Sequence, residues 1–406
     1  MKIKDPPEYI LAVLYKLTRE GFAAFVVGGS VRDSIMCLPI KDWDIATSAT
    51  PTEIAELFPK TVMTGEKFGT VTVVLHECTV EVTTFRIDGE YNDGRHPESV
   101  EFSSELNEDL RRRDFTINAM ALSADGEIID PFDGIKDIKN GIIRCVGRPA
   151  ARFAEDALRM FRAFRFSAVL GFAIESETLQ AICENARFAS AVSAERIQIE
   201  LDRILLSQKP EMLGEMIKIG LLEKYVAIPE EVPQGFDKLS CLPEESTLRW
   251  GALCAILLEA NCIKSVKEML YTLRCSGKTI ESCLRALKIA NCEKALPTCM
   301  FSDRIGIKRL LSENDATVVR CAAAISDVLD ALGNGQALQK TDEVLASGEC
   351  ANLSELALSG KDLVEMGHPQ GREIGGILKK LLEHVIINPQ DNNRETLIKL
   401  VDRIME

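Results

Sequence analysis

The pattern of hydrophobic and polar positions changes near residue 149. Before that point, short β-branched runs alternate with stretches of helical spacing. Residues 21–27 predict a strand that ends at Gly28-Gly29, and residues 70–75 and 79–85 predict the two strands of a hairpin. Residues 119–122 and 128–129 flank a further turn. This part therefore predicts a small antiparallel or mixed sheet with helices on one face.

From Pro149 onward the strand signals vanish. Helical spacing continues to the end, with breaks at residues 209–210, 228–235, 296–297 and 333–336. The predicted fold class is α+β, with a sheet-containing head followed by an all-helical remainder. A chain of 406 residues is too long for one ordinary core, so about two to four domains are expected. Residues 1–20 read as an amphipathic helix rather than a signal segment.

The composition narrows the class of protein. With 46% hydrophobic and 27% charged residues, the chain has the make-up of a soluble globular protein, and its apolar runs are too short to cross a membrane. Thirteen cysteines lack the spacing of a disulfide or zinc framework, which predicts reduced thiols in a cytoplasmic protein. The net charge of −14 argues against an overall nucleic-acid coat, but a local basic surface could still bind RNA.

Two aspartates carry the first chemical signal. In a strand, Asp42 and Asp44 would point to the same face, where their charges repel unless a divalent cation neutralises them. Oxygen ligands of this kind suit Mg²⁺, and a two-metal site would activate a hydroxyl and stabilise a leaving pyrophosphate. A lone D-x-D sequence is usually loop chemistry. Here Gly28 and Gly29 lie upstream, where backbone N–H groups could cradle a triphosphate, and Arg32 follows them. The combination indicates a nucleotide site.

A second signal lies in residues 152–166. At helical spacing, one face is apolar and the other is charged. The plain interpretation is a helix with Glu155–Arg159 and Asp156–Arg159 ion pairs. The alternative is base selection, since an aspartate only accepts hydrogen bonds and an arginine only donates them. Such a pair fits the amino group and ring nitrogen of cytosine and adenine, and it leaves uracil and guanine unpaired.

These motifs resemble those of class II CCA-adding enzymes and bacterial poly(A) polymerases, of the polymerase-beta superfamily. Residues 28–33 with 42–44 resemble the first motif, 111–119 the second, 130–134 the third, 155–159 the fourth (E-D-x-x-R) and 195–201 the fifth. The third is expected to link head to neck as a hinge, and the fifth to be a structural neck helix. The resemblance implies that Arg113 contacts the triphosphate and Asp114 the ribose, and that Asp42 and Asp44 are catalytic and bind Mg²⁺. The full predicted nucleotide-binding set is Gly28, Gly29, Arg32, Arg113, Asp114, Asp156, Arg159, Arg162 and Arg165. Glu81 is a candidate third carboxylate of the metal site, and Trp43 is bulkier than the aliphatic residue usual between the two aspartates.

The resemblance also implies a reaction and a domain order. The chain is expected to add CCA to the 3′ end of tRNA from CTP and ATP, releasing pyrophosphate, with no membrane and no obligate protein partner. We place a nucleotidyltransferase head at 1–148, a helical neck at 149–207, a helical body at 208–345 and a tRNA-binding helical tail at 346–406.

Several relatives are possible. Residues 64–73 look like the CCA-enzyme version of this stretch, and residues 86–97 resemble the flexible loop needed for switching to A addition, which disfavours a CC-only enzyme. Residues 359–383 resemble the tail of compact bacterial CCA enzymes, and the four histidines form no His-Asp hydrolase pattern. An A-only tRNA nucleotidyltransferase, a poly(A) polymerase and a non-catalytic RNA-binding protein remain open.

Overall fold

The computed structural model describes residues 4–65, 68–76, 78–89, 100–295, 300–330 and 335–405. Two compact units divide the chain. Unit 1 comprises Met1–Ile204 and Glu215–Lys224, and unit 2 comprises Leu205–Gly214 and Tyr225–Glu406. The predicted division into head, neck, body and tail stays a prediction.

Unit 1 contains a mixed sheet. The strands are β1 (Ala24–Val27), β2 (Asp44–Thr47), β3 (Thr61–Gly65), β4 (Thr70–Val74), β5 (Thr79–Thr84), β6 (Arg86–Asp88), β7 (Val100–Phe102), β8 (Ala121–Leu122), β9 (Ile128–Ile129), β10 (Ile142–Ile143) and β11 (Ala173–Ile174). Seven strands of the described residues form the main sheet, in the order β3-β4-β5-β2-β1-β8-β9. Its neighbours are antiparallel except β2 and β5, which are parallel. The predicted hairpin is β4–β5, and the mixed sheet is confirmed.

Along the chain, the helices of unit 1 precede, separate and follow the strands of the sheet. They are α1 (Glu8–Arg19), α2 (Gly29–Ile35), α3 (Pro51–Leu57), α4 (Leu106–Arg111), α5 (Gly134–Asn140), α6 (Pro149–Glu155), α7 (Leu158–Leu170), α8 (Ser176–Asn185) and α9 (Ala194–Leu205). Helices α1, α2 and α3 bury apolar side chains such as Leu14, Val31 and Ile54 against one face of the sheet. The opposite face carries a smaller cluster that includes Val27, Ala46 and Leu110.

Two short pairings depart from the sequence prediction. Strand β11 lies beyond Pro149 and pairs in parallel with β10, although no strand was expected there. A run of two residues is too short to leave a periodic signal. The other pairing, β6 with β7, is antiparallel.

Unit 2 is helical throughout its described residues. Its helices are α11 (Ser246–Glu259), α12 (Val266–Thr272), α13 (Gly277–Ala295), α14 (Arg304–Glu313), α15 (Ala316–Leu329), α16 (Ala337–Ala346), α17 (Gly360–Glu365), α18 (Arg372–Ile387) and α19 (Arg394–Met405), and α10 (Met212–Lys218) crosses the boundary between the units. The last three helices bury a cluster that includes Leu363, Leu381 and Val401. Two predicted breaks, at 209–210 and 228–235, lie between helices. Residues 296–297 and 333–334 lie outside the described residues. The α+β fold class is confirmed.

A buried arginine closes the C-terminal end of α9. Arg249, on α11, is 1% exposed and donates hydrogen bonds to the carbonyl oxygens of Leu205 (2.8 Å) and Ser207 (2.7 Å). It also donates to those of Leu242 (2.7 Å) and Pro243 (3.1 Å). Carbonyls at a helix end lack intrahelical partners, so this guanidinium satisfies groups that would otherwise be buried without a donor. Within the described ranges, no helix combines the length and hydropathy that a membrane crossing requires.

Candidate active site

The predicted carboxylates lie at the start of a central strand. Asp44 is the first residue of β2, opposite Val27 on β1 and Glu81 on β5. Asp42 precedes the strand, so the expectation that both aspartates lie within a strand is wrong. Both are nevertheless exposed and flank the buried Trp43. The bulky Trp43 therefore packs into the core without occupying the side of the aspartates.

Negative charge is concentrated around Asp44. Partial loss of hydration raises the pKa of Asp44, and the carboxylates of Glu81 and Asp42 raise it further while Arg113 opposes them. Among the residues that the structure describes, no three Asp, Glu, His or Cys side chains converge to hold a metal ion. Glu81 is an electrostatic neighbour of Asp44, and its role as a third carboxylate of the metal site stays a prediction. Two carboxylates that repel each other are a donor set that suits Mg²⁺, which is commonly bound by one or two carboxylates plus substrate phosphates.

The glycine pair brings the backbone close to these charges. Gly28 joins β1 to α2 at a φ of 78°, and a Cβ there would lie 3.0 Å from Nη1 of Arg113 and 3.9 Å from Oδ2 of Asp44. Both the left-handed backbone and the close guanidinium require glycine. The turn therefore brings the backbone at the start of α2 close to the guanidinium of Arg113 and the carboxylate of Asp44.

A buried aspartate fixes two arginines of the second motif. Asp109, on α4, is fully buried and accepts hydrogen bonds from Arg112 (2.6 Å) and Arg113 (3.0 Å). Burial would raise the pKa of Asp109, but the guanidinium groups of Arg113 and Arg112 outweigh it and lower the pKa. Arg111 points elsewhere and pairs with Glu108 at 3.6 Å. Of these three adjacent arginines, Arg112 and Arg113 line the cleft and Arg111 does not.

Asp114 joins the second motif to helix α7. Its carboxylate accepts hydrogen bonds from Arg162 (2.7 Å), Asn118 (3.1 Å) and the backbone N–H of Phe115 (2.8 Å). Burial acts to raise the pKa of Asp114, and Arg162, Asn118 and the Phe115 amide together lower it well below its usual range. Asn118 also accepts from Arg32 at 2.7 Å. This network ties the arginines of α2 and α7 to one buried carboxylate.

The expected helix over residues 152–166 is broken in the middle. Helix α6 ends at Glu155, Asp156 has an extended backbone, and α7 begins at Leu158. Arg159 forms an ion pair with Glu155, as one interpretation predicted. The partner of Asp156 is instead Arg196, at 2.7 Å, so the expected Asp156–Arg159 ion pair is wrong. A single helix cannot place Asp156 towards α9, and the break does.

Helix α9 contributes to the site, although the sequence marked it only as structural. Arg196 holds Asp156, and Glu200 pairs with Arg165 at 2.5 Å and with Arg162 at 3.9 Å. Arg203, one further turn along the same face, also borders the site. The i, i+4, i+7 spacing of these three charged residues is the signal that could have identified this face.

Residues of the glycine turn, the second motif and helices α7 and α9 line one cleft of about 500 Å³ in unit 1. It contains every predicted nucleotide-binding residue, together with Asp44, whereas Asp42 is not part of its lining. The structure adds Arg112, Asn118, Leu158, Phe166, Arg196 and Arg203. The lining holds eight arginines against three aspartates in a chain of net charge −14, so it is the local basic surface that the composition left open.

A larger cavity in unit 2, of about 720 Å³, lacks comparable chemistry. Its Lys238 donates to the carbonyl oxygens of Val328 and Asp330, and its Asp327 accepts from the backbone at the start of α16. These charges stabilise the fold of unit 2.

The structure does not describe most of the predicted switching loop at residues 86–97. Residues 90–99 lie outside the described residues, as do Glu66 and Lys67 of the 64–73 stretch.

Comparison with known proteins agrees with this cleft. Residues 24–144 match the poly A polymerase head domain, residues 171–230 match the "Probable RNA and SrmB-binding site of polymerase A", and residues 243–401 match tRNA nucleotidyltransferase domain 2. The CCA-adding enzyme of Limosilactobacillus fermentum is 38% identical over 416 residues, covering all of both chains. That of Geobacillus sp. (strain WCH70) is 37% identical over 97% of this chain and 96% of its own.

The chain belongs to the CCA-adding enzyme family.

Solved structures of CCA-adding enzymes have the same fold. The enzyme of Bacillus stearothermophilus, crystallised with CTP, is 31% identical, with a TM-score of 0.76 over 99% of this chain and 98% of that one. The Thermotoga maritima CCA-adding enzyme complexed with tRNA is 22% identical, with a TM-score of 0.70 over 98% and 95%. The resemblance on which the sequence analysis relied is therefore confirmed.

Proposed function

We propose that this protein adds CCA to the 3′ end of tRNA without a nucleic-acid template, from CTP and ATP. The observation that carries the proposal is the convergence in one cleft of Asp44, the arginine cluster and Asp156 with Arg159. This reaction needs three parts: a carboxylate for catalysis, cations that bind a triphosphate, and a pair of side chains that can select a base.

The triphosphate would bind among the arginines. Arg32 and Arg113 line the cleft beside the turn at Gly28 and Gly29. Planar guanidinium groups bind phosphate oxygens in a bidentate manner, which fixes the orientation of the triphosphate. Asp114, held by Arg162 and Asn118, is the proposed ribose contact. Orientation of this kind aligns the leaving pyrophosphate opposite the attacking hydroxyl.

Asp42 and Asp44 are the proposed catalytic pair and would hold Mg²⁺. When bound there, the metal would lower the pKa of the tRNA 3′-hydroxyl and neutralise charge that develops at the α-phosphate. As the 3′-hydroxyl releases its proton to water, its oxygen would bond to the α-phosphorus. The bond from the α-phosphorus to the oxygen that bridges it to the β-phosphorus would break, and pyrophosphate would leave with that oxygen.

Base selection is proposed for Asp156 and Arg159. The Asp156 carboxylate accepts from Leu158 N (3.0 Å) and from two nitrogens of Arg196 (3.3 and 2.7 Å). A carboxylate offers about four acceptor positions, so one remains for an exocyclic amino group. Cytosine and adenine supply that amino group beside a ring acceptor for Arg159. Uracil and guanine would oppose acceptor to acceptor and donor to donor.

The proposal extends to the rest of the chain. Residues 149–207 act as the neck that selects nucleotides, and residues 208–345 and 346–406 hold the tRNA by its shape and backbone. The match of residues 243–401 to tRNA nucleotidyltransferase domain 2 supports this role. The cysteine side chains that the structure describes are free thiols, which supports the cytoplasm as the site of action.

Sizing of reaction products tests the proposal. The protein is incubated with Mg²⁺ and either tRNA lacking CCA or tRNA ending in CC, with CTP, ATP or both. We expect CTP alone to add two nucleotides to the first substrate, ATP alone to add one to the second, and both together to complete CCA. Extension of CC-ending tRNA alone would indicate an A-only enzyme. Long A tracts on unrelated RNA would indicate a poly(A) polymerase, and no product would leave an RNA-binding protein.

A further inference from the structure

One aromatic ring in the cleft lies among three guanidinium groups. Phe166 is on α7 and lines the cleft, and its side chain is almost fully buried. The guanidinium carbon of Arg165 lies 3.8 Å from the ring centroid, that of Arg32 lies 5.1 Å away and that of Arg162 lies 5.3 Å away. All three distances are within the range of a cation–π contact.

The three arginines come from two separate elements. Arg32 is on α2, after the glycine turn, whereas Arg162 and Arg165 are on α7. Phe115, next to Asp114, packs edge-on against the Phe166 ring, with centroids 5.7 Å apart. The ring therefore lies where the first and second sequence motifs meet helix α7.

Keeping three like charges together requires compensation. Each arginine has a carboxylate partner: Asp33 for Arg32 (2.8 Å), Asp114 for Arg162 (2.6 Å) and Glu200 for Arg165 (2.5 Å). These ion pairs do not fully offset the repulsion between the arginines. Burial and the neighbouring Arg162 lower the pKa of Arg165 to about 10, even though Glu200 opposes the shift. Further carboxylates would neutralise the cleft and repel a triphosphate.

An aromatic ring solves this conflict. Its quadrupole attracts cations at the negative face, yet the ring carries no net charge. It can therefore hold the arginines in place and leave their positive charge available to an anionic ligand. An aliphatic side chain of similar volume would fill the same space without this attraction.

We propose that Phe166 is a positioning residue that holds Arg32, Arg162 and Arg165 in the geometry that binds the nucleotide triphosphate. The inference rests on the proposed function of the cleft. It assigns a role in the reaction to a side chain that lacks any group able to bind phosphate or transfer a proton.

A fluorinated series tests the electrostatic role of the ring. Site-specific incorporation of 4-fluoro-, 3,5-difluoro- and 3,4,5-trifluorophenylalanine at position 166 weakens the negative potential of the ring face stepwise. The shape of the side chain changes little. We expect the Kd of CTP and ATP, measured by calorimetry, and their KM to rise steadily with fluorine number, by about tenfold over the series. The kcat should change less, because the ring contributes to binding rather than to the reacting atoms.

Phe164 supplies the matched control. It is on the same helix and 2% exposed, and the structure shows no cation–π contact for it within the described residues. The same series at Phe164 should leave Kd and KM unchanged. The simpler pair Phe166→Leu and Phe164→Leu should differ in the same way. Urea unfolding midpoints would identify any variant that fails to fold, in which case the fluorinated series decides.

The outcomes separate this inference from the function on which it rests. If the unmodified protein binds CTP and ATP but the fluorinated series at Phe166 is flat, or parallels that at Phe164, the positioning role is wrong and the proposed function stands. If the unmodified protein binds neither nucleotide, the proposed function fails and the inference fails with it.

Discussion

Asp44 is a carboxylate that lies beside two others, Glu81 and Asp42, with Arg113 as the neighbouring cation. Its pKa is raised by lost hydration and by Glu81 and Asp42. We expect Asp44→Asn to lower the rate of nucleotide incorporation by about a hundredfold or more, because a preorganised charge at the reacting centre is lost. The free energy of unfolding should stay the same or rise slightly, because a repulsion is removed.

Steady-state incorporation assays and urea unfolding measure the two effects. Asp125→Asn, at an exposed turn, is the matched control and should change neither. Full activity of Asp44→Asn would refute the catalytic assignment, and unfolding of the variant would refute the repulsion argument.

Asp114 gives the stability of unit 1 a defined pH dependence. Its pKa in the folded protein is lowered below the unfolded value, which is about 3.9. The stabilisation is therefore fully present above about pH 4 and is lost as the pH falls further towards the folded pKa. We expect the urea midpoint to fall as the pH drops below about 4, and to fall less steeply in Asp114→Asn. Parallel slopes in the two proteins would contradict this, because Asp109 and Glu53, whose pKa values are lowered as well, contribute a slope that both proteins share.

Residue identities in the cleft were predictable where the motifs are local. Gly28, Arg113 and Asp156 lie in short runs whose spacing alone indicates the chemistry. Asn118 and Arg196 were missed because their roles depend on partners distant in sequence, such as Arg32, which lies 86 residues from Asn118. Tertiary partners of this kind leave no periodic pattern in one sequence.

At the scale of elements, the break between α6 and α7 decides where the selecting residues point. The apolar positions Phe153 and Phe161 are buried on either side of it, so the hydrophobic period continues across the gap and predicts a single helix. The available signal was Asp156 itself, since aspartate competes for backbone N–H groups and favours helix starts. Its carboxylate does accept from Leu158 N.

Arg196 fixes the orientation of this carboxylate from a neighbouring helix. We expect Arg196→Gln to lower discrimination against UTP and GTP by about tenfold, because Asp156 loses a charge-assisted bidentate contact and can turn away from the base. Ratios of kcat/KM for CTP over UTP and for ATP over GTP measure this. Arg187→Gln, an exposed change in the same unit, is the control. Unchanged ratios would show that Asp156 is held well enough without Arg196.

The charges of Asp156 and Arg159 can also be exchanged. If the two side chains read the base edge, the exchanged protein should shift incorporation towards U or G, since donors and acceptors trade places. Product sequencing after incubation with all four nucleotides measures the shift. Continued preference for C and A would refute the selecting role.

At the scale of the whole molecule, the chain divides well beyond Pro149, where its strand signals end. The first segment of unit 1 ends at Ile204, close to the predicted end of the neck at residue 207, and its second segment is Glu215–Lys224. The predicted boundary at 345 has no counterpart between the units. Lys308 on α14 forms an ion pair with Glu349 and donates to the carbonyl oxygen of Ile386. Such contacts between helices far apart in sequence are not encoded in local periodicity, so one sequence predicts the helices but not their grouping.

Arg249 binds backbone carbonyl oxygens within unit 2, including those of Leu205 and Ser207. Arg249→Met would leave several buried carbonyl oxygens without a donor, each costing about 1–3 kcal/mol. We expect the free energy of unfolding to fall by about 3 kcal/mol or more. Urea unfolding measures the loss, and Arg285→Met, at a partly exposed position of α13, should cost much less. Equal effects would mean that water replaces the guanidinium at little cost.

The arginine-rich lining of the cleft has a practical consequence for any laboratory that handles this protein. Eight guanidinium groups against three aspartates will attract whatever doubly charged oxyanions the buffer supplies. Sulfate and phosphate should therefore behave as competitive inhibitors towards nucleoside triphosphates at ionic strengths where chloride has little effect. The choice of purification salt then decides whether a measured affinity describes an open cleft or one already filled.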